Sequence, residues 1–271
     1  MSVVVAGLLL VFLLNALILA GSFAIGLLLP SSSLGAPAKV VLNWLPPFLR
    51  GEALRNWAAM TSERLAQERL AGKRSGKTAA RLAAEMENGA MHAMLPTAAP
   101  AELERIIACP KAGQGMIGVT APEALSIAAF LRKNRSPAEQ RWIYQMAVAN
   151  AEKIAARAPG EADAPLPCPL QGPDYVCCAY GARPLRCRPL HALSIAKELV
   201  GSIAPPPDSE AEPRDENGHA ETVAEGIELG FTRALKSAGL DAEVYEINGA
   251  LARALGVPDA AERWAKGENI F

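Results

Sequence analysis

The sequence predicts a mainly α-helical protein: one N-terminal transmembrane helix, then a small helical domain with an irregular cysteine-rich loop, and a C-terminal helical tail. Three observations favour this class. Hydrophobic residues make up 51% of the chain but aromatics only 5%, so a core must be built mainly from Ala, Leu, Ile and Val. An uncharged stretch lies at the N-terminus, and helix-capping patterns recur later in the chain.

The overall charge and the cysteine count exclude several classes. A net charge of -1 and a pI near 6.4 indicate no nucleic-acid partner. Five cysteines among 271 residues exclude a small disulfide framework. We expect five segments: a transmembrane anchor at 1–30, a basic juxtamembrane helical region at 31–96, a cysteine-cluster domain at 97–203, an acidic Pro-rich linker at 204–219 and a helical segment at 220–271.

The predicted anchor contains no charged residue between Val3 and Leu29. About 27 residues rise about 40 Å as a helix, which spans a bilayer with some tilt. A cleaved signal peptide is the alternative, because the small residues between Gly35 and Ala38 resemble a cleavage site. The basic residues and the shorter apolar stretch typical of such a peptide are missing, which favours the anchor.

The charges that flank the anchor predict its orientation. No Lys or Arg precedes it, whereas nine basic and three acidic residues lie between Lys39 and Arg81, a net charge of +6. The positive-inside rule therefore predicts a single-pass protein of the cytoplasmic (inner) membrane, with its N-terminus outside and its C-terminal domain in the cytoplasm. Ala16, Ala20 and Ala24 recur every four residues, which favours a transmembrane helix partner unless Ala is simply common here.

In the juxtamembrane region, the residue pattern predicts a helix at residues 51–71. It follows the two tandem prolines, Pro46 and Pro47. Residues 71–78 then resemble a loosened phosphate-binding loop. That loop normally follows a buried parallel strand, but residues 61–70 are charged and helical. We therefore interpret residues 71–78 as a basic turn between two helices.

Capping patterns predict two further helices. Thr120 with Glu123, and Ser136 with Glu139, have capping-box spacing, each with a proline inside the first turn. The first helix should end near residue 133 and the second near residue 157, and they should pack as a hairpin with Trp142 in the core.

The C-terminal tail begins after the predicted linker. Its first helix has an apolar face of Val223, Ile227, Phe231 and Leu235, and Gly239 is placed to end it. A second helix is predicted at 244–255, and a short third helix contains Trp264. Residues 205–271 carry 14 acidic and 6 basic side chains, a net charge of −8 that favours contact with the basic juxtamembrane region or with another basic partner.

The chemistry-bearing residues lie between 168 and 191. Four cysteines fall within 20 residues: Cys168, Cys177, Cys178 and Cys187. In a reducing cytoplasm such clusters bind metal more often than they form disulfides, and thiolates suit zinc or an iron-sulfur cluster. Buried thiols or a disulfide pair are the alternative.

These residues also carry a family resemblance. Cys168-Pro169-Leu170, followed by Cys-x-x-Tyr-x-x-Arg-Pro-x-x-Cys-Arg from Cys177 to Arg188, resembles the zinc- or iron-chelating CxxCxxCC family, also called YkgJ-type cysteine-cluster proteins. The resemblance covers residues 105–200. Where the family has its first group of four cysteines, this chain has Cys109 alone, which excludes an eight-thiolate arrangement.

The resemblance therefore implies one four-coordinate site formed by Cys109, Cys168, Cys177 and Cys187, with Cys178 as a spare or a substitute. Arg183 and Arg188 would offset the negative charge of a zinc tetrathiolate, and Tyr180 would pack. His191 is close enough in sequence to replace a thiolate, but a surface position is the favoured interpretation. No residue pattern typical of a hydrolase or zinc protease is identifiable, so an enzyme stays open as the less favoured interpretation.

Two functions remain open. The first is a membrane-anchored protein that holds zinc or an iron-sulfur cluster for a structural, redox or assembly role. The second is a non-enzymatic accessory subunit of a larger membrane complex, in which the cysteine site is vestigial.

Overall fold

The structure, a computed structural model, describes residues 47–94, 117–157, 166–172, 176–187 and 216–271. The predicted anchor at 1–30 lies outside these residues, as do Cys109, Arg188 and His191. The described part of the chain is mainly helical, as the composition predicts, with seven α-helices and one two-stranded sheet. None of these seven helices has both the length and the apolar character needed to span a bilayer.

Helices α1 (Pro47–Leu70) and α2 (Lys77–Met94) lie on either side of the basic turn, so the helix–turn–helix interpretation of residues 71–78 is confirmed. Helix α1 begins four residues earlier than expected, at the second of the tandem prolines, because proline is tolerated in the first turn of a helix. In the turn, Ser75 N–H donates to Thr78 Oγ1 at 2.9 Å and Thr78 N–H donates to the Ser75 carbonyl at 2.8 Å.

Both capping predictions are confirmed. Strand β1 (Gly118–Thr120) leads directly into helix α3 (Ala121–Asn134), and Ser136 caps helix α4 (Pro137–Ala155). The helices end within two residues of the predicted positions.

The C-terminal part has helix α5 (Glu216–Ser237), strand β2 (Val244–Glu246), helix α6 (Ile247–Gly256) and helix α7 (Ala260–Ala265). The four predicted face residues of α5 are buried, and Gly239 follows its end with a φ of +67°. Two boundaries differ from expectation: α5 begins within the predicted linker, and residues 244–246 are strand rather than helix. Those three residues pair antiparallel with β1, in the register Gly118↔Glu246, Val119↔Tyr245 and Thr120↔Val244.

The core forms where α6 packs against α3 and α4, and where α2 packs against α3 and α5. Helices α3 and α4 have the predicted short connection, but each contacts α6 more extensively than it contacts the other. The expectation that Trp142 lies in the core is wrong: its exposed fraction is 43%, and the buried side of α4 is one residue further on, at Ile143, Ala147 and Asn150. Because α4 packs against α6, the residues on the side of α4 that faces α6 are the buried ones.

Helices α1 and α5 approach closely at two glycines. A Cβ atom on Gly226 would collide with the Arg55 carbonyl, and one on Gly230 with Ser62 Oγ and the Ala59 carbonyl. Ser62 Oγ also donates to the Ile227 carbonyl at 3.3 Å. This packing and the β1–β2 pairing join distant parts of the chain, and the described residues between Gly51 and Phe271, the cysteine segment included, belong to one compact unit.

Candidate functional site

The cysteine segment, residues 166–172 and 176–187, consists of a short two-stranded ribbon followed by two 3₁₀ turns. Cys178 N–H donates to the Leu170 carbonyl at 2.7 Å, and Gly172 N–H donates to the Val176 carbonyl at 2.9 Å. Gln171 therefore pairs antiparallel with Cys177. A turn that begins at Cys168 precedes the ribbon, and in it Gln171 N–H donates to the Cys168 carbonyl at 3.0 Å.

The ribbon separates the two adjacent cysteines. Successive side chains of a strand point to opposite faces, so Cys177 shares a face with its partner Gln171 while Cys178 shares one with Leu170. Leu170 is only 1% exposed, whereas Cys177 and Cys178 are both partly exposed. The two adjacent cysteines therefore differ in their cross-strand partners, and the predicted ligand set uses Cys177.

The 3₁₀ turns Tyr180–Ala182 and Leu185–Cys187 bring the chain to the fourth cysteine of this segment. Arg183 between them is extended (φ −66°, ψ 146°), as expected for a residue before proline. Its guanidinium carbon lies 3.8 Å from the centre of the Tyr180 ring, a cation–π contact. Tyr180 therefore packs, as expected, and Arg183, only 4% exposed, packs with it.

A buried carboxylate attaches this segment to α3. Glu123 Oε2 accepts from Thr120 N–H at 2.8 Å and from Thr120 Oγ1 at 2.7 Å, while Oε1 accepts from Leu185 N–H at 2.7 Å. Burial raises the pKa of Glu123 above its ordinary value of 4.5, and the hydrogen bonds from Leu185 and Thr120 act in the opposite direction. The capping residue of α3 thus also holds the backbone two residues before Cys187.

Two further side chains hold the segment to α3 and α4. Arg135, which follows α3, donates through Nε and Nη2 to the Cys178 carbonyl, at 2.9 and 2.6 Å. Asn150 of α4 donates to the carbonyl of Pro167, the residue before Cys168, at 2.9 Å, and to Asn248 Oδ1 at 3.0 Å. The segment is therefore held near its beginning, its middle and its end.

An ion pair extends these links to α5. Arg186 Nε and Nη2 each donate to a different carboxylate oxygen of Glu228, both at 2.7 Å. The hydrogen bonds to Glu228 raise the pKa of Arg186, although its burial acts in the opposite direction. Arg186 side-chain exposure is 52%, so this bidentate pair orients the turn before Cys187 more than it stabilises the fold.

The four cysteines of the segment are all partly exposed. Within the described ranges, no three His, Cys, Asp or Glu side chains come together in an arrangement that could hold a metal ion. The predicted ligand set also requires Cys109, which lies outside those ranges, so the set stays a prediction. Sequence reasoning did not identify the links from Arg135 and Asn150, and it assigned Glu123 only a capping role, because a partner far along the chain leaves no local pattern.

Comparisons with known proteins add no assignment. No family model matches the sequence, and no curated protein or solved structure matches it significantly.

Proposed function

We propose that the chain is a membrane-anchored, metal-binding cysteine-cluster protein, with zinc or an iron-sulfur cluster held by Cys168, Cys177 and Cys187 together with Cys109. The observation that carries this proposal is the attachment of an irregular thiol-bearing segment to a helical scaffold through Asn150, Arg135 and Glu123. Metal ligands need such support, because loops without regular structure do not hold a coordination geometry unaided.

The chemistry of the segment supports the same proposal. Thiolates are the ligands that zinc and iron-sulfur clusters prefer, and all four cysteines of the segment are partly accessible. Arg135, Arg183 and Arg186 all lie in or against this segment. Their positive charges would lower the cost of holding several thiolates together.

The test is the metal content of the full chain, purified in detergent without oxygen. We expect about one zinc per chain, or an iron-sulfur cluster that absorbs visible light. C187S should lose the metal and become sensitive to proteolysis between residues 166 and 187, since the free energy of metal binding contributes to the folding of such sites.

C178S is the matched control. It removes a thiol from the same segment, but the one that the predicted ligand set leaves as a spare, so we expect the metal to be retained. Metal-free protein, together with a folded and protease-resistant C187S, would contradict the proposal. Loss of metal from C178S but not from C177S would exchange the roles of these two cysteines.

The second candidate is the non-enzymatic accessory subunit with a vestigial site. The side-chain links favour it as well, because they and the buried Leu170 and Leu185 hold the segment without any metal. This function predicts metal-free protein in which C187S folds normally and still copurifies with the same membrane complex as the wild type.

A further inference from the structure

A small polar cavity lies where the end of α1 meets the start of α2. Its volume is about 210 Å³, and its lining consists of Arg69, Lys73, Thr78, Arg81 and Glu85. This volume is below the roughly 300 to 1,000 Å³ of pockets for drug-sized ligands. Three positive side chains and one negative side chain suit a small anion.

Among the described residues, some of the cations around this cavity already have an ion-pair or hydrogen-bond partner, and others do not. Arg69 pairs with Glu85 across the cavity at 2.6 Å, and Arg74 donates to the Ala238 carbonyl at 3.1 Å, away from the lining set. Within the part of the chain that the structure describes, Lys73 and Arg81 form no ion pair or side-chain hydrogen bond. Two cations therefore line the cavity without a compensating carboxylate.

Thr78 adds a neutral donor at the same place. It is only 5% exposed, and its Oγ1 already accepts from Ser75 N–H at 2.9 Å. A hydroxyl that accepts in this way still has its own proton to donate. The cavity thus presents a hydroxyl donor beside the guanidinium and ammonium donors.

We propose that this cavity binds a phosphate group, either as inorganic phosphate or as the phosphomonoester of a lipid headgroup. A phosphate of this type carries about −1.5 to −2 charges at pH 7 and three acceptor oxygens, which match two unpaired cations and a hydroxyl. Arg81 can meet two of these oxygens at once, and Lys73 supplies a point charge. The proposal does not depend on the cysteine site.

The site differs from a nucleotide-binding loop in its surroundings. Residues 71–76 join two helices, whereas the phosphate-binding loop of nucleotide-binding enzymes joins a strand to a helix. Glu262 of α7 also lies against Gly76, where an added Cβ would be 2.6 Å from Glu262 Oε1. This carboxylate lies beside the turn at Gly76, outside the five residues that line the cavity.

The first experiment uses inorganic phosphate as the probe. Calorimetric titration of the full chain in a non-ionic detergent, at constant ionic strength, should show saturable binding. The double variant K73Q/R81Q should weaken binding at least about tenfold, because it removes both charged donors that have no carboxylate partner in the lining. K133Q/R141Q removes the same charge from exposed positions on α3 and α4 and should bind as the wild type does.

The second experiment distinguishes the lipid source. The full chain is placed in nanodiscs of phosphatidylcholine alone, with phosphatidic acid, or with phosphatidylserine, and amide exchange is followed at residues 71–78. Slower exchange with phosphatidic acid only, abolished in K73Q/R81Q, identifies the phosphomonoester of a lipid. Binding of inorganic phosphate without this effect identifies a soluble phosphate. If neither probe binds, or if K73Q/R81Q and K133Q/R141Q behave alike, the proposal is overturned.

Discussion

Two glutamates at equivalent capping positions differ in how they respond to pH. Glu123 of α3 and Glu139 of α4 each accept from the backbone N–H and the hydroxyl of the residue three positions earlier. Burial raises the pKa of Glu123, whereas the hydrogen bonds from Ser136 lower the pKa of the exposed Glu139. The tertiary surroundings of each glutamate, rather than the capping motif, therefore decide whether its pKa is raised or lowered.

We therefore predict that Glu123 makes the protein less stable as the pH rises. A carboxyl whose folded pKa is raised contributes stability that is complete below its ordinary pKa of 4.5 and is lost as the pH rises through the folded pKa. In E123Q this dependence should disappear. Chemical unfolding at several pH values should show the free energy of unfolding of the wild type falling relative to that of E123Q above about pH 4.5.

E139Q is the matched control. Relative to E139Q, the free energy of unfolding of the wild type should rise with pH, the opposite of the trend expected relative to E123Q. A lowered folded pKa contributes stability above the ordinary value of 4.5, and this stability is lost as the pH falls through the folded pKa. Parallel pH profiles for the wild type and E123Q would show that the Glu123 carboxyl does not titrate differently on folding.

At the scale of elements, the contact between α1 and α5 depends on two glycines spaced four residues apart. Gly226 and Gly230 let the backbones approach so closely that Ser62 of α1 donates to a carbonyl of α5. Arg55 pairs with Glu225 at 3.7 Å and Arg233 with Glu63 at 3.9 Å across the same contact, but these exposed pairs contribute little. The contact is thus set mainly by backbone approach.

We predict that G230A destabilises the protein by about 1–3 kcal/mol, the usual cost of inserting a methyl group into a tightly packed contact. Ser62 Oγ and the Ala59 carbonyl occupy the space that the new Cβ needs. Thermal unfolding of the full chain measures the effect.

G249A provides the comparison, because Gly249 lies in α6 with no atom within 4 Å of an added Cβ. Alanine there should be neutral or stabilising by about 0.5–1 kcal/mol, since it restricts the unfolded chain and favours helix. Equal melting temperatures for G230A and G249A would show that the approach at Gly230 is not tight in solution.

At the scale of the whole molecule, the membrane topology has the most direct test. The net charge of +6 after the uncharged N-terminal stretch predicts that the C-terminal domain is cytoplasmic. A C-terminal tag should resist protease added to intact cells and be cleaved after permeabilisation, whereas an N-terminal tag should be cleaved in both cases. Cleavage of the C-terminal tag from outside would reverse the topology.

Local sequence determined most of the helices. Both capping boxes, the buried face of α5 and its end before Gly239 were predictable, because capping and helical periodicity involve residues only three or four positions apart. The turn at residues 71–78 was predictable for the same reason. The cysteine spacing likewise identified the candidate site as a segment of the sequence.

Only the tertiary structure decided what that segment contacts. Residues 244–246 directly precede helix α6, but pairing with 118–120 makes them a strand. Glu123 reaches Leu185, and Asn150 reaches both Pro167 and Asn248, through contacts that the chain makes only when its distant parts meet. Such long-range partners compete with local preference and leave no periodic pattern, so the sequence alone predicts most of the helices but neither the two strands nor the way the elements attach to one another.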